Sequence, residues 1–91
     1  MNPKKVENIL IGEDFNRKLE QIKEAFNQIE LKYADWFKNR KTEDGKPDRL
    51  KNYWSTSSNS GNDKIYLEVS DKLPTHIIDE CVSGFNALFI Q

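Results

Sequence analysis

Between Asp14 and Lys38 the apolar residues Phe15, Leu19, Ile22, Phe26, Ile29, Tyr33 and Trp36 recur at spacings of 4, 3, 4, 3, 4 and 3. Alternation of that kind stays close to the helical repeat and puts all seven side chains on one stripe. Ala25, Ala34 and Phe37 widen the stripe, while Arg17, Lys18, Glu20, Lys23, Glu24, Glu30, Lys32 and Asp35 fill the other faces. Neither Gly nor Pro interrupts the run. The pattern predicts one long amphipathic helix over residues 14–39, started by Glu13 or Asp14. Such a helix is stable only when its stripe is covered, so the rest of the chain must supply the cover.

On either side the signals are shorter. Asn2-Pro3 reads as a cap followed by Pro at a first helical position, Val6, Ile9 and Leu10 share a helical face, and Gly12 is a stop. A short helix over residues 3–11 follows, with a brief strand at Ile9–Ile11 as the alternative. Glu43 to Asp48 contains Gly45 and Pro47 and reads as a turn. Residues 52–58 and 64–70 read as two strands joined by a Ser/Asn/Gly/Asp loop. In the second, Ile65, Leu67 and Val69 oppose Tyr66 and Glu68. Over 74–89, Ile78, Cys81, Val82, Phe85, Leu88 and Phe89 return at helical spacing, with Asp79 and Glu80 expected in the first turn and Gly84 as a weak point.

The expected architecture is therefore a single α+β domain over residues 1–91. A long amphipathic helix packs with a C-terminal helix against a two-stranded antiparallel β-hairpin, and a short N-terminal helix forms a lid. Two Trp, three Tyr and five Phe among 91 residues supply a core despite 32 % charged residues, which argues against disorder. The net charge of -1 shows neither the basic excess of a typical nucleic-acid binder nor the acidic excess of a DNA mimic. A single cysteine precludes an internal disulfide and, with no secretory or membrane-spanning apolar run, leads to the expectation of a cytoplasmic protein without a membrane partner.

Chemistry-bearing residues are sparse. His76 is the one histidine and Cys81 the one cysteine, and no second ligand stands in register with either, so neither a metal nor a cofactor is expected. The glycines stand singly at 12, 45, 61 and 84 and form no phosphate-cradling loop. The expectation is a protein that is not an enzyme. Trp36-Phe37-Lys38-Asn39-Arg40-Lys41 resembles the Trp-Phe-x-Asn-Arg core of the homeodomain recognition helix, in which Asn reads adenine. The resemblance covers these six residues only. The two earlier helices and the basic arm of a homeodomain have no counterpart, and the chain is not placed in that family.

The charge around this run says more. From Lys38 to Lys51 six basic residues (Lys38, Arg40, Lys41, Lys46, Arg49 and Lys51) face three acidic ones, and after Lys51 two basic residues face five acidic ones. Trp36 precedes the basic run, and Tyr53 and Trp54 follow it. Trp, Tyr and Arg dominate interface hot spots. Trp36, Lys38, Arg40, Lys46, Arg49, Lys51, Tyr53 and Trp54 are thus the candidate partner-binding residues, set against a loop that is merely solvated. The expected function is a small interaction module of inhibitor, immunity or accessory type that binds a protein. The alternative is nucleic-acid binding with Tyr53 or Trp54 stacking on bases. Homodimerisation is a further expectation, because the helix outspans its cover and would leave Tyr33, Trp36 and Phe37 bare.

Overall fold

In the computed structural model, which describes residues 3–10, 14–40, 45–46, 48–59, 61 and 63–89, the amphipathic stretch forms two helices. α1 spans Phe15–Lys32 and α2 spans Ala34–Lys38. Asp14 caps α1, its side chain accepting the Asn16 backbone N–H at 2.9 Å. Ile22, Phe26 and Ile29 are buried as the spacing predicts. The single long helix is corrected at Tyr33, whose φ of -111° and ψ of 30° break the ladder. That break resets the helical phase. Phe37 takes the buried place, and Trp36 is left half-buried.

A second departure is Lys18. Expected on a charged face, it is 5 % exposed. Its Nζ donates to the Leu88 carbonyl at 2.9 Å and lies 4.9 Å from the Phe89 ring centroid. The carbonyls at a helix end lack intrahelical donors. Lys18 supplies one to the end of α3, which spans Thr75–Ala87.

The N-terminal segment is a strand and not the expected helix. β1 (Lys4–Ile9) pairs antiparallel with β3 (Lys64–Val69), which also pairs antiparallel with β2 (Trp54–Ser58), so the sheet has three strands in the order β1-β3-β2. The physical reason lies in β3. It is the most apolar strand, with Ile65, Leu67 and Val69 fully buried, and a buried strand needs a partner on each side for its N–H and C=O groups. A hairpin alone satisfies one side. β1 satisfies the other with Val6 and Asn8 turned inward and Lys5, Glu7 and Ile9 outward, the period of two having been hidden by its few apolar residues. The expected strand 52–58 starts only at Trp54, because Leu50–Tyr53 forms a 3-10 turn that buries Leu50.

α1 and α3 cover one face of the sheet. Their core joins Ile77, Cys81 and Phe85 of α3 to Ile22, Phe26 and Ile29 of α1 and to the inner face of β3. α3 begins at Thr75, so Asp79 and Glu80 stand beyond its first turn. The other face of the sheet is open and carries Lys5, Glu7, Ser55, Ser57, Tyr66 and Glu68 around a shallow concavity of about 380 Å³. Asn59 and Asp63 close the β2–β3 connection through a hydrogen bond between their side chains and through the Asp63 and Lys64 backbone N–H groups, which both donate to the Asn59 side-chain Oδ1. Asn2, Ile11, Gly12, Glu13, residues 41–44, Pro47, Ser60 and Asn62 lie outside the described residues. With them go the expected cap and stop of the first helix and half of the Glu43–Asp48 turn. No helix is long and apolar enough to cross a membrane among the described residues.

Candidate functional site

The kink at Tyr33 places α2 against the 3-10 turn, and this junction is where the candidate residues meet. The Trp36 ring packs edge-on against Phe37 at 4.9 Å and against Tyr53 at 6.0 Å, and Phe37 lies 6.3 Å from Tyr53. One helical turn after Trp36, the Arg40 guanidinium sits 4.7 Å from the Trp36 ring centroid, a cation–π distance. Arg40 Nε also lies 3.9 Å from Asp48 Oδ2, with the Arg40 side chain 53 % exposed.

Asp48 is the centre of this junction and was not among the candidates. Its Oδ1 accepts the Arg49 backbone N–H and the Asn52 side-chain amide, each at 3.0 Å, and its Oδ2 accepts the Tyr53 hydroxyl. Burial by itself pushes the Asp48 carboxyl up. The donors from Tyr53, Asn52 and Arg49, with the Arg40 charge beside them, outweigh it and hold the group below the usual carboxylate range. Burial, and then donation to Asp48, push the Tyr53 hydroxyl up. The signal that could have found Asp48 is its place in the turn, since Asp there accepts donors from the residues that follow.

The remaining candidates do not join this surface. Arg49 is committed to Glu30 of α1, with Nε at 3.0 and 3.1 Å from its two oxygens, and the Leu50 N–H donates to the same Glu30 at 2.7 Å. Glu30 thereby ties the turn to α1, and donation to it raises the Arg49 pKa. Trp54 stands edge-on to Phe26 at 4.8 Å and packs against the core. Lys38 is exposed two residues after Trp36, about 200° round the helix from it. Lys46 and Lys51 are exposed. The end expected to be bare is covered: Phe37 is buried, and Tyr33 and Trp36 are half-buried against the core.

A second polar cluster joins α1 to α3. Glu80 accepts Lys32 Nζ at 2.8 Å and the Tyr33 hydroxyl, and the Tyr33 ring meets His76 at 5.3 Å. Lys32 and then Tyr33 hold the Glu80 carboxyl low, while donation to Glu80 raises the Tyr33 hydroxyl. Cys81 is fully buried, and burial pushes its thiol up to about 12, far from nucleophilic. Among the described residues no group of three or more His, Cys, Asp or Glu is placed to hold a metal ion. Comparison with protein families, with curated proteins and with solved structures finds no match to this chain.

Proposed function

We propose that this chain is a small non-enzymatic interaction module, of inhibitor, immunity or accessory type, that binds a carboxylate-bearing surface of a protein partner through Trp36, Arg40 and Tyr53. The observation that carries the reading is the Arg40 guanidinium laid on Trp36 while Tyr53 braces the same ring and is itself anchored on buried Asp48. A surface whose side chains are already ordered loses little entropy on binding. Asp48 holds three donors of its own at hydrogen-bonding distance, and Arg40 stands farther off. The exposed guanidinium can therefore take a second carboxylate in its planar fork.

Nucleic-acid binding has less support. It needs a stacking platform and several phosphate contacts. Trp54 packs edge-on against Phe26, the Tyr53 hydroxyl is tied to Asp48, and Glu30 offsets Arg49.

The test is affinity capture from the native cell with the wild type and with a Trp36→Ala, Arg40→Glu double variant, partners being identified by mass spectrometry. A protein retained by the wild type and lost by a variant with an unchanged circular dichroism spectrum supports the reading. Equal retention by both sinks it. Binding that collapses between about 50 and 200 mM salt transfers the support to nucleic acid.

A further inference from the structure

β2 has a strand on one side only. In the order β1-β3-β2 it is an edge, and among the described residues no strand pairs with its other side. Two hydrogen bonds beyond its ends define which backbone groups it leaves outward. The Ser70 N–H donates to the Tyr53 carbonyl at 2.7 Å, and the Asn59 N–H donates to the Lys64 carbonyl at 3.4 Å. Because hydrogen-bonded pairs alternate along an antiparallel ladder, Tyr53, Ser55, Ser57 and Asn59 turn their N–H and C=O groups toward β3. Trp54, Thr56 and Ser58 turn theirs away from it, Trp54 and Thr56 on the open edge.

Natural sheets guard such edges with charge, Pro or a bulge. β1, the other edge, carries Lys4, Lys5 and Glu7. β2 reads Trp-Ser-Thr-Ser-Ser, without a charge or a Pro. Trp54 and Thr56 between them offer two donors and two acceptors on residues two apart, a set that is complementary to itself.

We propose that a second copy of this chain pairs with this edge, β2 against β2, antiparallel about a twofold axis at Ser55, to give one continuous six-stranded sheet. Trp54 then faces Thr56 of the second copy, and Thr56 faces its Trp54. The N–H and C=O groups of Trp54 and Thr56 in each copy are all used, in four N–H···O=C bonds. Trp54 and Thr56 both lie on the helix-covered side of the sheet and make an aromatic to β-branched cross-strand pair, a favourable combination. The two Ser55 residues meet at the axis on the open face. That is a pair without ladder hydrogen bonds, where the strands come closest, with Cα atoms about 4.5 Å apart; a small uncharged side chain suits it. A twofold contact of this kind closes on itself and needs no other molecule.

Sedimentation equilibrium tests the pairing. The wild type is expected to rise from a mass near 10.7 kDa toward twice that value as its concentration is raised to about 1 mM. Ser55→Lys sets two like charges against each other at the axis on an exposed position and should weaken the dimer about fivefold or more. Ser55→Glu should do the same, and mixing the two variants should restore a heterodimer. Thr56→Pro deletes an outward N–H in each copy while sparing the ladder to β3, and should weaken the dimer about tenfold or more. Trp36→Ala, outside this edge, should leave the dimer intact. A wild type that stays at 10.7 kDa throughout overturns the proposal. So does a dimer that ignores Ser55→Lys, or one that Trp36→Ala dissociates.

Discussion

Asp48 is 7 % exposed and still favours its charged form, because Tyr53, Asn52 and the Arg49 N–H all donate to it. Asp48→Ala leaves those donors without their acceptor and should cost about 1–3 kcal/mol, read from urea unfolding at pH 7. The sign of the pH effect follows from the lowered pKa. The native group loses its charge only below the unfolded one. The stabilisation is thus complete above the ordinary carboxylate value near pH 4 and is lost as pH falls through the lower native value. The gap between wild type and Asp48→Ala should therefore narrow as the pH is taken below about 4; a gap of constant size would show that the charge of Asp48 plays no part. Cys81, fully buried with its thiol raised to about 12, should resist a thiol reagent at pH 8 until denaturant is added. Labelling of the native protein at the unfolded rate would contradict that burial. Arg49, expected to belong to the binding surface, holds Glu30 instead. Its reversal to Glu sets two carboxylates side by side where a 3.0 Å contact stood and should lower stability more than that of Arg40, which stands 3.9 Å from Asp48; thermal melts of the two variants distinguish them.

At the scale of elements, Gly84 shows how a cost legible in the sequence gains its meaning from packing. A Cβ built there meets Ile29 Cδ1 at 3.7 Å, an ordinary contact. Gly84→Ala should therefore fill a space between α3 and α1, raise helix propensity and stabilise the protein by about 0.5–1 kcal/mol. A loss of stability on chemical denaturation would mean that the helices cannot accept even a methyl group. β1 makes a sharper test of register. The Leu10 N–H donates to the Asp63 carbonyl at 2.8 Å, so by alternation Val6 and Asn8 bond to β3 while Lys5, Glu7 and Ile9 point their amides to the open edge. Hydrogen exchange in the native protein should find Val6 and Asn8 protected and Lys5, Glu7 and Ile9 fast. The opposite alternation would place the register off by one residue. Uniformly fast exchange would remove the strand altogether.

For the molecule as a whole, the sheet joins distant parts of the chain: Lys4 stands opposite Val69. Removing residues 1–10 would strip one side of β3 and expose Ile65 and Leu67, and the remaining hairpin and helices should lose their cooperative unfolding transition; a truncated chain with the wild-type transition would reverse this view of β1. The sequence by itself determined the elements whose periodicity is local. The buried line Ile22–Phe26–Ile29, the strand Ile65–Leu67–Val69 and the helical character of residues 75–87 are each read from spacing, because neighbouring side chains must share a face to be buried at all. Of the surface, it placed Trp36, Arg40 and Tyr53 near one another through their position on either side of a turn. Only the tertiary structure decided that Lys4–Ile9 is a strand, that Lys18 lies buried against the end of α3, that the helix breaks at Tyr33, and that Asp48 and Glu30 anchor the turn. Each of these depends on backbone or carbonyl groups, or on side chains far away in the chain, that had to find a partner once water was excluded, and no local pattern carries that demand.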